Sequence, residues 1–313
     1  MLEHFYLRRP TENDIEAVLA LMLRCDERDV GFPDSDLTEL KNDWDEIDLS
    51  RDAWLAIDKK NILQGYCGVF PWNTGRRFDV YDAPGTEESD LFLSLMVLAE
   101  GRVRFLINEG NAPEGETITT HISERVEHQN RIIREAGYSV KKHIFNLHRD
   151  LDGDFPKPVW PEGITLRSMK ADQDERVLYE LIETAFTKPD RKPVAFKDWK
   201  KFMMSRTLFS PEIWFILEKG EEMIGCALCF NYNEIGWVRQ LAVREDQRGQ
   251  GFGRMLLEHA FHVFKNNGMP KVGLATESVN EKALNLYTSA GMRKTVHLYE
   301  YTKPALKNET RGL

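Results

Sequence analysis

Two stretches of this chain, about 160 residues apart, are written in the same order. Leu7-Arg8-Arg9-Pro10 precedes a helical spacing of Ile15, Val18, Leu19 and Leu21; Leu166-Arg167-Ser168-Met169 precedes Val177, Leu178, Leu181 and Ile182. Trp54 to Asp58, a turn, then Gly65 to Phe70 reads as a β-hairpin, and so does Trp214 to Glu218, a turn, then Gly225 to Phe230. Ala136-Gly137-Tyr138 answers Ala290-Gly291-Met292. Each copy therefore reads as a strand, one or two helices, a hairpin, a strand, a helix, a strand, a helix and a final strand. A length of 313 residues suits two such domains. Pro156, Pro158 and Pro161 mark a linker over 151–163, which predicts domains at 1–150 and 164–313.

The second copy holds the stretch with chemistry in it. Ile235 to Val243 alternates as a strand, Arg248-Gly249-Gln250-Gly251-Phe252-Gly253-Arg254 follows, and Met255, Leu256, Leu257, Ala260, Phe261 and Phe264 recur at helical spacing. Three glycines at every second position let backbone N–H groups turn inward without a Cβ in the way. They do so where a helix begins, at the positive end of its dipole, with Arg248 and Arg254 on either side. This is a cradle for a pyrophosphate. A plain helix cap is a second reading of the loop. A dinucleotide loop is a third, but Gly-x-Gly-x-x-Gly would put its last glycine one residue later.

Arg248-Gly249-Gln250-Gly251-Phe252-Gly253 resembles the Arg/Gln-x-x-Gly-x-Gly/Ala signature of the GCN5-related N-acetyltransferases, the GNAT superfamily. After a short strand, Lys271 to Thr276, the run Asn280 to Met292 is similar to that family's second signature, with Asn280, Ala283, Leu286-Tyr287 and Gly291 in order. The resemblance is specific from about Trp214 to Tyr301. It implies an α/β (α+β) protein of two tandem GNAT folds, each a mixed, mostly antiparallel sheet flanked by helices. Tandem GNAT proteins with a silent first copy include the mycothiol synthases, which this chain resembles in arrangement.

The resemblance also implies the chemistry. Acetyl-CoA would lie along Leu241, Ala242 and Val243, its pyrophosphate on Arg248 to Arg254 and its chain on Asn280, which as an N-cap also suits the helix that follows. An amine would attack the thioester directly, releasing coenzyme A. Tyr287 would act as the acid toward the departing thiolate. The base is less defined: the family's strand carboxylate falls at Trp237, so Glu234, Glu277 or a water chain must stand in. The expected activity is transfer of acetyl from acetyl-CoA to a primary amine of a small molecule. A non-catalytic acyl-CoA sensor and a peptide or protein N-acetyltransferase are the alternatives. The acceptor pocket is expected between Thr184 and Arg206 and at Asn231 to Gly236. The first of these segments carries Lys188, Arg191, Lys192, Lys197, Lys200 and Lys201 among Phe196, Trp199 and Phe202. Such a helix could take an acidic substrate or the coenzyme A 3′-phosphate, or simply be amphipathic.

The first copy departs from this pattern. Asp82-Ala83-Pro84-Gly85-Thr86-Glu87-Glu88-Ser89-Asp90 offers one glycine, and its carboxylates would repel a pyrophosphate. Aligning Gly137 with Gly291 sets Ile133 opposite Tyr287 and Val126 opposite Asn280. This predicts a degenerate copy that supports the second.

A net charge of −9 argues against nucleic-acid binding. No apolar run approaches the ~18–20 residues of a membrane span, and Met1 to His4 does not open a signal peptide, so the expected setting is cytoplasmic, as a monomer or homodimer. Cys226 and Cys229 have metal-like spacing but sit three apart in a strand, on opposite faces, so they are read as core residues and no metal is expected.

Overall fold

The structure is a computed structural model describing residues 4–72, 75–109, 116–187, 193–204, 208–232 and 234–305. In chain order the first elements are β1 (Phe5–Arg8), α1 (Ile15–Asp29), α2 (Leu37–Trp44), α3 (Leu49–Asp52), β2 (Ala53–Asp58), β3 (Leu63–Trp72), β4 (Gly75–Asp82), α4 (Leu91–Glu109), β5 (Thr117–Ser123), α5 (Glu127–Glu135) and β6 (Ser139–Asp150). There follow β7 (Ile164–Ser168), α6 (Glu175–Ala185), α7 (Phe196–Met204), β8 (Trp214–Lys219), β9 (Glu222–Tyr232), β10 (Ile235–Val243), α8 (Phe252–Asn266), β11 (Lys271–Glu277), α9 (Glu281–Ser289) and β12 (Arg293–Pro304).

The chain forms two compact units, Met1–Ile144 with Val296–Leu313, and Phe145–Thr295. These bounds differ from a cut at a linker over 151–163. The end of the chain belongs to the first unit, where Leu298 to Pro304 of β12 pairs antiparallel with Thr117 to Ser123 of β5. The proline-bearing stretch is irregular, as its composition predicts, yet it is packed. Leu151 and Phe155 are buried in the second unit's core, and the Phe155 carbonyl lies 2.7 Å from His262 Nδ1.

Each unit is a mixed, mostly antiparallel sheet flanked by helices. In the first, β1 to β4 pair antiparallel in sequence order and β4 meets β5 in parallel. In the second, β7 to β10 repeat that ladder and β10 meets β11 in parallel. The repeat extends to single side chains. Arg8 grips Asp14 with two hydrogen bonds, and Arg167 grips Asp174 in the same way, each tying the first strand to the turn before the first helix.

The second core is formed by α8 lying on β9 and β10. Leu256, Leu257, Ala260 and Phe261 are fully buried and Phe264 nearly so, as the helical spacing predicts. A Cβ on Gly236 would sit 2.3 Å from the Phe264 ring, so glycine there lets the helix approach the strand. Cys226 and Cys229 are core residues of β9, and burial pushes the Cys226 thiol up to about 12.

Two buried imidazoles make this unit acid-sensitive. Burial, chiefly, lowers His148 and His259 from 6.5 to about 4. An imidazole with a depressed folded pKa is held neutral in the fold, whereas the unfolded chain takes up a proton below about 6.5. Its contribution is therefore complete above that pH and is lost as pH falls toward 4, up to about 3 kcal/mol per residue by linkage. The urea midpoint of the protein should fall between pH 7 and pH 5, and His259→Phe, which keeps the ring against Phe215, should flatten that slope. Equal midpoints at the two pH values would mean that both imidazoles are solvated.

Candidate active site

The site begins with a strand that parts from its neighbour. β10 follows β9 along its whole length, from Ile235 opposite Tyr232 to Val243 opposite Gly225. Toward β11 it is paired only over Ile235, Gly236 and Trp237. A β-bulge lies between Val238 and Gln240, directly after the last of these pairs. A bulge adds a residue to one strand, bends it and increases its twist. From Val238 to Val243 the edge of β10 facing β11 is thus left without a ladder partner among the described residues. Leu241, Ala242 and Val243 lie on this free edge, which an extended chain can complete by backbone hydrogen bonds.

The free edge leads into the glycine loop. After a short turn at Glu245–Gln247, Arg248 is extended, and Gly249 and Gly251 take φ of +80° and +83°. That left-handed conformation favours glycine, and a Cβ on either would meet nothing within 4 Å, so backbone conformation and not space selects the residue. Gly251 is the N-cap of α8, and no side chain caps this end. The first N–H groups of α8, from Phe252 to Arg254, therefore point outward at the positive end of the helix, which is an anion site.

The arginines are placed differently from a pair of free cations. Arg248 Nε donates to the Val243 carbonyl at 3.0 Å, and its Nη2 reaches the Ala185 carbonyl at 3.5 Å, tying the strand end to the loop and to α6. Arg254 is paired with Glu258 at 2.7 Å and donates to Ser289 Oγ at 3.2 Å. Gln250 is exposed, and its amide reaches Gln247 at 3.4 Å.

Helix α9 closes the site. A Cβ on Gly253 would lie 3.6 Å from Leu286 and 3.9 Å from Val243, so β10, the start of α8 and α9 converge at this glycine. Tyr287, the next residue on α9, is 9% exposed, and its hydroxyl has no hydrogen-bond partner among the described residues. Burial pushes the phenol up to about 12. Asn280 is exposed and caps α9, its side chain accepting from the Ala283 N–H at 3.3 Å. Glu234 sits exposed in the β9–β10 turn, three residues before the strands part. Of the expected acceptor segments, 188–192, 205–206 and 233 lie outside the described residues. Within the rest of the first segment, Trp199 is buried, Phe196 stacks with it at 6.3 Å, and Lys200 pairs with Glu175 at 3.4 Å. Those two rings belong to the core. Sequence reading did not single out Arg239, the residue added by the bulge, although the break in alternation at Arg239-Gln240 is a trace of it.

In the first unit the matching place is filled by the protein's own groups. β4 pairs with β3 from Gly75 to Asp82 without a bulge. Asp82 takes the position of Val243, each lying opposite a glycine, Gly65 and Gly225. Its carboxylate is fully buried, accepts from Gln129 at 2.6 Å and Arg28 at 3.3 Å, and lies 2.8 Å from His128. Burial alone would raise Asp82, but the hydrogen bond from His128 and the charge of Arg28 hold it below the usual range. In the loop, Gly85 has φ +95°, and its N–H donates to both oxygens of Glu87, at 3.0 and 2.9 Å. An internal carboxylate thus sits where the second unit leaves its amides open.

Known proteins are similar to this chain in sequence and in fold. Residues 176–292 match the acetyltransferase (GNAT) family. A mycothiol acetyltransferase of Streptomyces bingchenggensis is 28% identical over 184 residues, covering 51% of this chain and 58% of that one. That of Thermobispora bispora is 25% identical over 176 residues, covering 52% and 58%. The match thus spans just over half the length of these relatives. Among solved structures, a GCN5-related N-acetyltransferase from Sphaerobacter thermophilus superposes with a TM-score of 0.85 at 27% identity, covering 97% of both chains. A tandem GNAT protein from the clavulanic acid biosynthesis pathway gives 0.75 at 14% identity, covering 96% and 99%, a likeness of fold. The class is defined by fold and loop together. The second unit carries the sequence match to the acetyltransferase (GNAT) family, and the chain as a whole has the fold of a tandem GNAT protein.

Proposed function

We propose that the second unit transfers an acetyl group from acetyl-CoA to a primary amine of a small molecule by direct attack, and that the first unit is silent. The observation that carries this is the free edge of β10 running into the uncapped N-terminus of α8. It offers one continuous track of backbone donors and acceptors, ending in an anion site. The residues fit acetyl-CoA: an amide-bearing arm along Leu241, Ala242 and Val243, a pyrophosphate on the N–H groups from Gly249 to Arg254, and Asn280 at the rim. Acetyl-CoA supplies an activated acyl group whose C–S bond breaks as the amine nitrogen bonds to the carbonyl carbon. An N–H of the β10 edge near Leu241 donates to the carbonyl oxygen as negative charge develops there. Arg248 holds the strand end and loop in register.

Tyr287, buried beside Leu286 where α9 meets the start of α8, is assigned to donate to the departing sulfur. With its phenol near 12 it is fully protonated at neutral pH. Complete transfer of its proton to an alkyl thiolate, whose own pKa is about 8.5, is uphill, so its role is a strong hydrogen bond to sulfur while the C–S bond breaks. The amine must be neutral to attack. Glu234, at the turn three residues from the parting of the strands, is the carboxylate assigned to receive its proton through water. The mycothiol acetyltransferase relatives point to small amines as acceptors. The buried network on Asp82 and the Gly85–Glu87 contact support a silent first copy.

The test is release of coenzyme A thiol from acetyl-CoA with a panel of small amines and peptide N-termini. Turnover with small amines is expected. Binding without turnover would favour a sensor, and turnover with peptides alone would favour a peptide acetyltransferase. Tyr287→Phe should lower kcat by roughly a hundredfold and leave acetyl-CoA affinity within about twofold. An unchanged kcat would remove the phenol from the reaction.

A further inference from the structure

The bulge on β10 delivers one side chain that the fold does not use. Arg239 is the added residue, and its guanidinium carbon lies 4.9 Å from the centre of the Phe202 ring on α7. It is half-buried, and among the described residues no carboxylate pairs with it. Other arginines of this unit are engaged. Arg167, Arg244 and Arg254 pair with carboxylates, and Arg149 and Arg248 donate to carbonyls. An arginine held against a ring, with its fork of donors unused, is a receptor for an oxyanion.

The surroundings favour an anion as well. Trp199 stands three residues before Phe202, so the two share a face of α7. Trp199 is 4% exposed, and its indole N–H has no acceptor among the described residues. In a chain of net charge −9, α7 carries three lysines against one aspartate. The place is also apt. Arg239 follows the point where β10 parts from β11 and stands at the far end of the free edge from the glycine loop. A thioester laid along that edge from the loop has its reactive end here. The adjacent Gln240 has a buried side-chain oxygen without a donor among the described residues, suited to an amine N–H.

We propose that Arg239 is the acceptor-recognition residue, and that the amine substrate carries an oxyanion group, carboxylate or phosphate, which Arg239 binds. This rests on the acetyltransferase reading above and names its acceptor class. The first unit makes a useful contrast: β4 has no bulge, so no residue is added there.

The experiment compares matched primary amines: amino acids, the corresponding amino alcohols and aminoalkyl phosphates. They are assayed with the wild-type protein, Arg239→Gln and Arg239→Lys, alongside acetyl-CoA binding by calorimetry. The wild type should favour anionic amines over the alcohols by roughly tenfold or more in kcat/KM. Arg239→Gln should erase that preference through KM for the anionic amines, with acetyl-CoA affinity unchanged. Arg239→Lys, which keeps the charge but not the fork, should retain part of it and serves if Arg239→Gln does not fold. A preference confined to amino acids or to aminoalkyl phosphates identifies which oxyanion is recognised. Three results would overturn the inference while leaving acetyl transfer intact: equal rates for neutral and anionic amines in the wild type, a uniform loss on all amines in Arg239→Gln, or weakened acetyl-CoA binding in that variant, which would assign Arg239 to a cofactor phosphate. If no amine of any class is acetylated, the acetyltransferase reading fails and the inference fails with it.

Discussion

Gly251→Asp is expected to weaken acetyl-CoA binding by at least roughly a hundredfold while the protein stays folded. The backbone tolerates this change, and the charge is what acts. Gly251 has φ +83°, where an L-residue other than Asn or Asp costs about 1–2 kcal/mol. It is also the N-cap of α8, so a carboxylate there would accept from the first-turn N–H groups and take the place of the phosphate. Gly251→Asn isolates the charge. Asparagine tolerates the left-handed conformation and caps the helix without charge, so it should weaken binding far less than aspartate. The first unit already holds such an arrangement, with Glu87 on the Gly85 N–H. Calorimetric titration should accordingly give one site per chain in the wild type and none in Gly251→Asp. Unchanged affinity in the aspartate variant would move the cofactor away from this loop, and two sites per chain would show that the first unit binds despite Glu87.

Trp214→Ala carries the largest expected loss of stability, about 3–5 kcal/mol in the second unit. The side chain is fully buried, packed against Phe209 at 4.9 Å, Phe230 at 5.8 Å and Trp199 at 6.3 Å between ring centres. Its indole N–H donates to the Cys229 carbonyl at 3.1 Å, so truncation leaves both a large cavity and an unsatisfied acceptor. For a unit of this size the thermal midpoint should fall by roughly 10–15 °C. Because Trp199 leans on Trp214, the wall beside Arg239 should loosen too, and KM for the amine should rise at temperatures where the variant is still folded. A loss below about 1 kcal/mol would mean that the ring is not part of the core.

Much of this was legible in the sequence because it is local. The left-handed turns at Gly249 and Gly251, the cap at Asn280 and the amphipathic face of α8 are set by residues within a few positions of one another, and a linear reading recovers such features. The repeat was legible for the same reason, because two copies of one pattern must fold by the same rules, although the matching Arg8–Asp14 and Arg167–Asp174 pairs appear only in the structure. Arg254 shows the limit. As a letter it is a cation beside a phosphate loop, but its charge is spent on Glu258 one helical turn away. Phe196 and Trp199 show it again: their place on an aromatic, basic helix does not say which face is turned to the core.

The order of elements, the cradle at the start of α8 and the mismatch of the first copy were thus determined by the sequence alone, since each follows from short-range backbone preference and hydrophobic period. Tertiary structure decided the rest. That β10 parts from β11 after Trp237, that Asp82 is encircled by Arg28, His128 and Gln129, that Leu298 to Pro304 complete the first unit's sheet and that Tyr287 loses its solvent all depend on pairings between residues tens to hundreds of positions apart. Such pairings are chosen by which edges and faces can be buried together, and no local rule encodes that choice.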